Sequence, residues 1–525
     1  MYENYCKVKD GKGMRVLLVN PEGEKISPGL NMGIAYLSSS LRREGYYIGV
    51  LDLHNFSRGD PFLQLKKAIE SFNPNIVGFS IINIACKRAS KLINECRKYY
   101  DGYIVAGGPE VSFQKENVLL EINALDAVII GEGEETLVEL IKCVQTGITP
   151  NSVEGVIFRD RGSDKVLTNP PRKLRKDIDS YPFPDYEVFG VKQMDIYSII
   201  SSRGCPFNCS FCSRYTGRLW RGREINYVVE ELQQAKEKYH IKCFQLWDSC
   251  FNPTEKRAEA LCDALIESGL NIPWVAMGVR ADKINDNVAK KLFHAKCKIL
   301  WMGVESFDPE VFQEIGKGER LEDVKRGIRI AKKNGIGVYG FMIAGLPHDT
   351  LKKTLYSADE AIKLGMDRIF YATATPFTET RLYQWVEKYG KLLGDPLEVN
   401  QILTENNDGI VFETEEFPLA DRKKANEILN VKTGFINNNG IHPYLFPFYK
   451  MGLILKYDMK NIFKRLVKSI RYRWNKKKRI EYFMENAVIY LNQIPDGRWG
   501  LQKDSYSSEK QPVIIRQKDF SVVPK

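Results

Sequence analysis

The sequence predicts an α/β protein with two regions of alternating strands and helices, followed by a mainly helical C-terminal region. Two observations carry this prediction. Short apolar runs alternate with helical patterns from Met14 to Gln145, and the same alternation resumes near residue 190 and ends near Leu392. Since the 525 residues exceed what one hydrophobic core can organise, we expect two or three domains.

The first region contains five apolar segments of strand length joined by helical patterns. The predicted strands are Arg15–Asn20, Tyr47–His54, Ile76–Ile82, Tyr103–Ala106 and Ala127–Ile130. Continuous apolar strands joined by helices are typical of a parallel sheet that is covered on both faces. Residues 14–147 are therefore predicted to form a doubly wound, Rossmann-like domain, whose ligands bind at the carboxyl ends of the strands.

Glycines gather at the carboxyl ends of the fourth and fifth predicted strands. The residues at these two ends are Gly107, Gly108, Pro109, Gly131, Glu132, Gly133 and Glu134. Glycine lets a backbone approach a large ligand closely. The same glycines suit tight strand-to-helix turns, and the sequence pattern alone leaves both interpretations open.

A proline-rich passage separates the two α/β regions. Two short alternating segments within residues 151–171 predict a hairpin, and residues 148–190 are interpreted as hairpin and linker. The second region, residues 191–392, contains six predicted strands: Ile196–Ile200, Cys243–Trp247, Trp274–Met277, Ile299–Gly303, Val338–Ala344 and Arg368–Thr373. Six strands that alternate with helices predict a partial (β/α)6 barrel, with the active site at the carboxyl ends of the strands.

Three cysteines lie within eight residues, in a loop that follows the first of these six strands. Cys205, Cys209 and Cys212 are close enough for their thiolates to surround one face of an iron–sulfur cluster. A zinc site favours a fourth Cys or His nearby, and the next one along the chain is His240. Three ligands leave one position open for chemistry, so the loop predicts a catalytic cluster, with three structural thiols as the alternative.

The CxxxCxxC spacing, with the aromatic Phe211 before the last cysteine, resembles the signature of the radical S-adenosylmethionine (SAM) enzymes. The resemblance implies that Cys205, Cys209 and Cys212 ligate a [4Fe–4S] cluster and are the catalytic residues. It further implies that the amino and carboxylate groups of SAM chelate the open iron. An electron from the reduced cluster then cleaves SAM to a 5′-deoxyadenosyl radical, which requires an electron donor such as flavodoxin or ferredoxin.

Polar residues at the ends of the predicted barrel strands are candidate SAM contacts. Gly303 and Glu305 form a G-x-E sequence after the fourth strand, and in the radical SAM family such a sequence contacts the amino or ribose groups of SAM. Asp248, after the second strand, matches an acidic residue of the family and is predicted to bind SAM or substrate. Arg280, after the third strand, is predicted to pair with the SAM carboxylate, because a guanidinium binds carboxylates at two points.

Another candidate segment follows the fifth barrel strand. Gly345 and Pro347 belong to the sequence GLPHDT, which resembles the GLPGET turn of the family, with His348 in place of the second glycine. Both residues, together with Phe211, are predicted to lie near SAM. Cys250 is close to Asp248 in the sequence, but we do not count it as a fourth ligand, because SAM is expected to occupy that iron.

Two glycine-rich segments upstream of the cysteine loop resemble the cobalamin-binding domain of the B12-dependent radical SAM class. They are GGPEVS at Gly107–Ser112 and GEGEET at Gly131–Thr136. The resemblance implies that cobalamin contacts Ser80 and the seven residues at the two glycine-rich strand ends.

A histidine near the second strand is a candidate cobalt ligand. Asp52-Leu53-His54 resembles the start of the DxHxxG motif, which ligates cobalt through its histidine, but Ser57 stands at the glycine position. Many radical SAM relatives bind cobalamin without a protein ligand to cobalt. His54 is therefore interpreted first as a strand-end residue, with cobalt ligation as the alternative.

Residues 393–525 lose the alternation and are predicted to be mainly helical. Lys450–Arg479 contains twelve Lys or Arg and one acidic residue, so it carries a charge equal to the net +11 of the whole chain. Its apolar residues recur at helical spacing, which is typical of a basic amphipathic helix that binds a membrane surface, nucleic acid or a partner. The alternative is that the apolar face packs on the barrel. Together with the aromatic stretch Tyr444–Tyr449, this favours peripheral membrane contact through residues 443–479.

The composition narrows the class of protein. With 43% hydrophobic and 27% charged residues, the chain is typical of soluble globular proteins. It has no run of eighteen apolar residues, and Met1–Met14 lacks a signal-peptide pattern. The eleven cysteines are odd in number and scattered, unlike a secreted disulfide framework. We therefore expect a cytoplasmic protein, with membrane association through residues 443–479.

These features predict a cobalamin-dependent radical SAM enzyme that modifies an unactivated carbon of a hydrophobic or small-molecule substrate. Methylation of a lipid or isoprenoid-like compound is the leading hypothesis, in which cobalamin takes a methyl group from one SAM and the radical from a second SAM activates the substrate. Cyclases and other enzymes that form or rearrange carbon–carbon bonds share the same motifs.

Two alternatives of other kinds remain open: a tRNA-modifying radical SAM enzyme, and a non-catalytic cobalamin carrier or sensor. Against the first, the sequence shows no recognisable RNA-binding module and no second cysteine triad. Against the second, the cysteine triad and Glu305 are intact.

Overall fold

The computed structural model describes residues 13–21, 29–56, 59–82, 86–160, 162–213, 217–394 and 409–433. They form two compact units. The first comprises the described residues up to Ile199 with Arg221–Ile241, and the second comprises Ile200–Trp220 with the described residues from Lys242 onward. The predicted amphipathic helix and aromatic stretch at 443–479 lie outside the described residues. Within the described ranges, no helix is both long enough and apolar enough to cross a membrane.

Strands and helices alternate through most of the described chain. The strands are β1 (Arg15–Asn20), β2 (Tyr47–Asp52), β3 (Ile76–Ser80), β4 (Tyr103–Gly107), β5 (Ala127–Ile129), β6 (Val156–Arg159), β7 (Val166–Thr168), β8 (Ile196–Ile199), β9 (Ser202–Arg203), β10 (Arg221–Gly222), β11 (Cys243–Leu246), β12 (Trp274–Val279), β13 (Cys297–Glu305), β14 (Gly337–Ala344), β15 (Arg368–Thr373), β16 (Gly390–Leu392) and β17 (Phe412–Thr414). The α-helices are α1 (Met32–Arg43), α2 (Leu53–Phe56), α3 (Pro61–Phe72), α4 (Cys86–Arg97), α5 (Pro109–Gln114), α6 (Glu116–Glu121), α7 (Glu134–Thr146), α8 (Ile225–Tyr239), α9 (Glu255–Glu267), α10 (Asp286–His294), α11 (Pro309–Ile315), α12 (Leu321–Lys333), α13 (Leu351–Lys363), α14 (Arg381–Tyr389) and α15 (Leu419–Thr433).

The first unit is built on a seven-stranded sheet in the order β2-β1-β3-β4-β5-β6-β7. Strands β1 to β5 pair in parallel, and helices connect them. The direction of winding reverses between β1 and β3, so the carboxyl ends of these strands border the crevice in which doubly wound domains bind ligands. The predicted Rossmann-like fold of this region is confirmed.

Local sequence explains why these elements form. Val16 and Val19 of β1 are fully buried, as expected for a strand that is covered on both faces. Helix α1 begins after Asn31, whose side chain accepts a hydrogen bond from the backbone N–H of Ile34 at 3.0 Å. This cap fixes where the chain turns from the carboxyl end of β1 into the first helix.

Hairpin β6–β7 extends the first sheet, whereas the sequence predicts residues 148–190 as a hairpin and linker between the two α/β regions. Strand β6 pairs antiparallel with β5, with Ile157 opposite Val128. Ile157 and Phe158 are 2% and 1% exposed. Their alternation predicted the hairpin, but the pairing that buries them depends on a strand almost thirty residues earlier, which periodicity does not indicate.

The second sheet has six strands in the order β15-β14-β13-β12-β11-β8. The pairs from β11 to β15 are parallel. This agrees with the predicted partial barrel, and the predicted α/β fold class is confirmed. Because parallel strands end at one edge of a sheet, the residues that follow β11 to β14 gather there.

Helix α8 falls in the first compact unit, whereas the sequence analysis counted it with the barrel at 191–392. Buried charges anchor it. Glu231 of α8 is 1% exposed, accepts a hydrogen bond from the hydroxyl of Tyr197 at 2.9 Å and pairs with Arg223 at 2.6 Å. Arg223 also pairs with Asp179 at 2.9 Å. Such a buried, mutually satisfied group holds α8 against the first unit.

Candidate active site

The cysteine loop begins directly after β9, at Gly204. Gly204 has a φ of +80°, and a Cβ there would lie 2.2 Å from the backbone oxygen of Leu219, so the position requires glycine. The backbone N–H of Cys205 donates to the oxygen of Gly217 at 3.2 Å, and that of Cys212 donates to the oxygen of Cys209 at 3.3 Å. None of the three cysteines forms a disulfide, and all three are half-buried, as is the side chain of Phe211.

Neighbouring helices anchor this loop from outside. The backbone N–H of Ser210 donates to the oxygen of Ile315 in α11 at 2.8 Å, and its oxygen accepts from the N–H of Leu382 in α14 at 3.0 Å. Nη2 of Arg381 donates to the oxygen of Asn208 at 2.5 Å. These hydrogen bonds fix the segment between the first and last cysteines.

The three thiols are the predicted ligands of a [4Fe–4S] cluster. Among the described residues, no group of three or more His, Cys, Asp or Glu is arranged to hold one metal ion. A cubane cluster meets each cysteine through a different iron, so its thiolate ligands need not converge on one point. A hydrogen bond from Cys250 lowers the pKa of Cys205 to about 6, whereas burial raises the pKa of Cys209 to about 12.

Asp248 follows β11 and is 4% exposed. Its Oδ1 accepts hydrogen bonds from the backbone N–H groups of Ser201 at 2.7 Å and Ser202 at 3.3 Å. Its Oδ2 accepts from the hydroxyls of the same two serines at 2.5 and 2.9 Å. Four such bonds fill the acceptor positions of a carboxylate. Asp248 therefore holds the chain that enters the cysteine loop, which favours a structural role over the predicted contact with SAM or substrate.

Glu305 ends β13 in a left-handed backbone conformation, with a φ of +70° that is rare for a residue other than glycine. It is 7% exposed, and burial raises the pKa of its carboxyl group to about 7. A Cβ on Gly303 would lie 2.5 Å from Oε1 of Glu305, so the glycine leaves room for this carboxylate. A strained, buried acid at a strand end is typical of a functional site and fits the predicted contact with the SAM amino group.

The structure adds a lysine that the sequence analysis missed. Lys317 lies between α11 and α12, and its side chain is 10% exposed. Its Nζ donates to the oxygen of Gly303 and lies 3.3 Å from Oε2 of Glu319 and 4.0 Å from Oε1 of Glu305. A lysine between two glycines, in Gly316–Glu319, is the sequence signal that could have identified it.

Arg280 follows β12 as predicted, but protein groups already bind its guanidinium. Its Nε and Nη2 donate to the two carboxylate oxygens of Asp282 at 3.0 and 3.1 Å, and Nη1 donates to the oxygen of Lys317 at 3.0 Å. The guanidinium carbon lies 3.6 Å from the ring centre of Phe207, in the cysteine loop. These contacts leave little donor capacity for the predicted pairing with the SAM carboxylate.

The GLPHDT turn follows β14. Gly345 has a φ of +90°, and a Cβ there would lie 2.1 Å from Nη1 of Arg422, so glycine is required. Its N–H donates to Oδ2 of the buried Asp349 at 2.8 Å. Pro347 is buried. His348 has a φ of +60°, which favours glycine and explains why the related turn carries glycine at this position.

In the first unit, the predicted cobalamin contacts gather at one edge of the sheet. Ser80 lies opposite Gly107 in the register of β3 and β4. The hydroxyl of Ser112 accepts from the N–H of Gly131 at 2.9 Å and donates to the oxygen of Gly108 at 3.0 Å. A Cβ on Gly107 would meet nothing closer than 3.7 Å, and one on Gly131 nothing within 4 Å. Open space over these two glycines fits the close approach of a large ligand.

The other residues at these ends serve the strand-to-helix turns, the alternative that the sequence left open. Gly108 has a φ of +113°, and a Cβ there would lie 2.6 Å from the backbone oxygen of Ile81. Pro109 starts α5, where its missing N–H costs no hydrogen bond. Gly133 precedes α7, and Glu134 is buried in the first turn of that helix.

Glu132 has a structural partner that the sequence did not predict. Its Oε1 and Oε2 accept hydrogen bonds from Nη2 and Nη1 of Arg221 at 2.6 and 3.0 Å. Nη1 of Arg221 also donates to the oxygen of Arg175 at 2.8 Å. The ion pair ties the turn after β5 to β10.

The structure places His54 in the short helix α2, directly after β2. Oδ1 of Asp52 accepts from the backbone N–H groups of His54 at 3.1 Å and Asn55 at 3.2 Å, and from the side chain of Asn20 at 2.8 Å. The carboxylate thus holds the backbone of this turn. The arrangement supports the interpretation of His54 as a strand-end residue.

Comparison with known proteins matches a family to each of the two α/β regions. The model of the Radical SAM superfamily matches residues 199–359, and the model of the B12 binding domain matches residues 27–141. An uncharacterized methyltransferase of Pyrococcus horikoshii, PH0819, is 32% identical over 391 residues, which cover 71% of this chain and 83% of that protein. An anaerobic magnesium-protoporphyrin IX monomethyl ester cyclase of Rubrivivax gelatinosus is 27% identical over 411 residues, which cover 74% of this chain and 71% of the cyclase.

A solved structure shares the fold. The radical SAM methyltransferase TsrM of Kitasatospora setae, with cobalamin and a [4Fe–4S] cluster bound, superposes with a TM-score of 0.64. The match covers 82% of this chain and 90% of TsrM at 19% sequence identity.

The fold, the cysteine loop and these matches define the class: the chain belongs to the radical SAM superfamily, among the enzymes that also carry a B12-binding domain. The predicted cofactors are confirmed at this level, with a [4Fe–4S] cluster and SAM for the central region and cobalamin for the N-terminal region. An enzyme of this class also uses a reductant and a substrate. The roles of individual residues stay predictions.

Proposed function

We propose that this enzyme methylates an unactivated carbon of its substrate through cobalamin-dependent radical SAM chemistry. One observation carries the proposal: the chain combines a radical SAM cysteine loop with a B12-binding sheet and is 32% identical to a protein named as a methyltransferase, over 83% of that protein. When bound, the cluster supplies the electron that cleaves SAM, and cobalamin supplies a carrier for the methyl group.

The described residues support this chemistry in each unit. In the second unit, the three loop cysteines would hold the cluster, and Glu305 would accept a hydrogen bond from the SAM amino group through its buried carboxylate. In the first unit, the open positions at Gly107 and Gly131 would let the corrin ring approach the strand ends.

Radical cyclisation is the second candidate, and one observation favours it. The cyclase of Rubrivivax gelatinosus matches 74% of this chain. Hydrogen abstraction at an unactivated carbon is common to both reactions, so the described site suits either. The products differ in mass, because methylation adds a CH2 unit whereas cyclisation removes hydrogen.

The substrate class is proposed from the C-terminal sequence. The basic and aromatic character of residues 443–479 favours a lipid or isoprenoid-like substrate that is met at the cytoplasmic face of a membrane, since basic amphipathic segments bind anionic lipid surfaces. We propose a flavodoxin or ferredoxin as the electron donor.

The test begins with anaerobic purification, reconstitution of the cluster and addition of cobalamin. The enzyme is then reduced with dithionite and incubated with SAM labelled with 13C in the methyl group and with lipid and small-molecule extracts of cells that lack the gene, and products are measured by mass spectrometry. A labelled methyl group in one lipid class, absent with the Cys209→Ala variant, is expected. A product that has lost hydrogen without gaining the label would support cyclisation, and labelling confined to polar metabolites would contradict the lipid substrate.

A further inference from the structure

Two buried cations lie beside the cysteine loop in the second unit. The side chains of Arg280 and Lys317 are 5% and 10% exposed. They share the carboxylate of Glu319, which is 3.3 Å from each of them. The sequence pattern assigned a role to Arg280 alone, as the partner of the SAM carboxylate.

The guanidinium of Arg280 is used by the protein itself. Besides its two bonds to Asp282 and its bond to the oxygen of Lys317, its Nη2 donates to the oxygen of Gly318 at 3.4 Å. Four of its five N–H groups therefore have acceptors in the chain. Its face is covered by Phe207, 3.6 Å away, which lies between the first two cysteines. A planar cation can stack on a ring and bind a carboxylate at its edge at the same time, and Arg280 does both.

The ammonium group of Lys317 has fewer hydrogen-bond partners than the guanidinium of Arg280. Its Nζ donates to the oxygen of Gly303 and contacts Glu319. Its Nζ lies 4.0 Å from Oε1 of Glu305, which is too far for a hydrogen bond, and it also interacts electrostatically with the Cys209 thiol. A lysine ammonium has three N–H groups, so one of them can serve an incoming acceptor.

The side chains of Lys317 and Glu305, whose charged atoms are 4.0 Å apart, are complementary to the carboxylate and ammonium groups of an amino acid. The methionine part of SAM carries one ammonium and one carboxylate. Lying alongside the two side chains, it would bring its ammonium to Glu305 and its carboxylate to Lys317, and it would add two ion pairs closer than 4.0 Å without changing the net charge of the site. Gly303 keeps this space open, because a Cβ there would lie 3.3 Å from Nζ of Lys317 and 2.5 Å from Oε1 of Glu305.

We propose that the two cations divide two tasks: Arg280 is a positioning residue that holds the cysteine loop through Phe207, and Lys317 binds the carboxylate of SAM opposite Glu305. The proposal rests on SAM binding at this site and is independent of the group that the enzyme transfers.

The test compares Arg280→Lys, Lys317→Met and Lys317→Gln with the control Lys332→Met. Lys332 lies on α12 and pairs with Asp367 at 2.7 Å. Two quantities are measured without cobalamin or substrate: the rate at which an iron chelator removes the cluster, and the dissociation constant of SAM from the change that it causes in the electron paramagnetic resonance spectrum of the reduced cluster. Neither readout requires methyl transfer, so failure of the proposed function would leave both unaffected.

Both Lys317 variants are expected to retain iron and to bind SAM about tenfold to a hundredfold more weakly, the loss of one charge-assisted hydrogen bond. Arg280→Lys is expected to lose its cluster several-fold faster, while the molecules that keep it bind SAM within about threefold of the wild-type value. Decarboxylated SAM gives an independent check, because the preference for SAM over this analogue should shrink in Lys317→Met and persist in Arg280→Lys. Wild-type SAM affinity in both Lys317 variants, loss of iron in them, or weakened SAM binding with a stable cluster in Arg280→Lys would overturn the proposal.

Discussion

Glu132 and Arg221 form a two-point ion pair, with oxygen–nitrogen distances of 2.6 and 3.0 Å. The side chain of Arg221 is 2% exposed, so removal of its partner would leave a buried charge. Glu132 was predicted as a cobalamin contact. The pair shows that the same residue stabilises the turn after β5.

Glu132→Gln is therefore expected to lower the free energy of unfolding of the first unit by about 3 kcal/mol. Thermal unfolding without cobalamin measures this loss. The control is Glu135→Gln. Glu135 also forms an ion pair, but its side chain is 29% exposed, and the loss of an ion pair at such a partly exposed residue is expected to cost at most about 1 kcal/mol. Equal stability of the two variants, with cobalamin affinity lost only in Glu132→Gln, would show that Glu132 serves the ligand instead.

Asp248→Ala is expected to destabilise the second unit by about 3 kcal/mol or more, because four donors of Ser201 and Ser202 would lose their acceptor. The entrance of the cysteine loop would loosen, so less iron should be retained after reconstitution. Iron content and the SAM dissociation constant of the loaded fraction are measured together. Full iron content with weakened SAM binding would restore Asp248 to the predicted role of a SAM contact.

Two adjacent glycines, Gly107 and Gly108, differ in whether the backbone or a bound ligand requires glycine. Gly107→Ala is expected to keep the stability of the protein, because the new Cβ would meet nothing closer than 3.7 Å, but to weaken cobalamin binding if the corrin lies over this strand end. Gly108→Ala should lose about 2 kcal/mol of stability, because its φ of +113° and the oxygen of Ile81 at 2.6 Å exclude a side chain.

Cobalamin binding followed by absorbance, together with thermal unfolding, distinguishes the two glycine variants. Unchanged cobalamin affinity in Gly107→Ala would show that cobalamin does not lie over the end of β4.

Glu305 is expected to make SAM binding dependent on pH. Burial raises the pKa of its carboxyl group to about 7, so the group holds a proton below that pH in the free enzyme. The proton must leave before the carboxylate can accept a hydrogen bond from the SAM ammonium. The dissociation constant of SAM is expected to rise about tenfold per pH unit below pH 6 and to level off between pH 7 and 8, above which the amino group of SAM itself loses its proton.

Glu305→Gln is the control for this dependence. Its amide does not titrate, so it should bind SAM more weakly at pH 8 and show no dependence on pH between 5 and 8. A wild-type pH profile that persists in this variant would assign the titration to another group.

The sequence predicted those features that depend on local pattern. An apolar run such as Arg15–Asn20 predicts a buried strand without information from the rest of the chain. The spacing of Cys205, Cys209 and Cys212 likewise indicates an iron–sulfur site from local sequence alone. The family matches confirm the α/β fold class and the cofactor classes that these patterns implied.

Features that depend on tertiary pairing could not be predicted. Asp248 and Arg280 stand at strand ends as expected, but the groups that saturate them, Ser201, Ser202 and Asp282, are identified only once the chain is folded. Lys317 was missed because it follows a helix instead of a strand. Hairpin β6–β7 was predicted without its partner strand β5, because that pairing also forms only in the folded chain.

Formation of 5′-deoxyadenosine from SAM shows whether Cys205, Cys209 and Cys212 hold a cluster that cleaves SAM. The enzyme is reconstituted with iron and sulfide under anaerobic conditions and reduced with dithionite, and the product is measured by mass spectrometry. The wild-type enzyme is expected to form 5′-deoxyadenosine, and the Cys209→Ala variant to form none. A wild-type enzyme that carries an intact [4Fe–4S] cluster but yields no 5′-deoxyadenosine, or a variant that yields as much, would show that these cysteines do not hold a SAM-cleaving cluster.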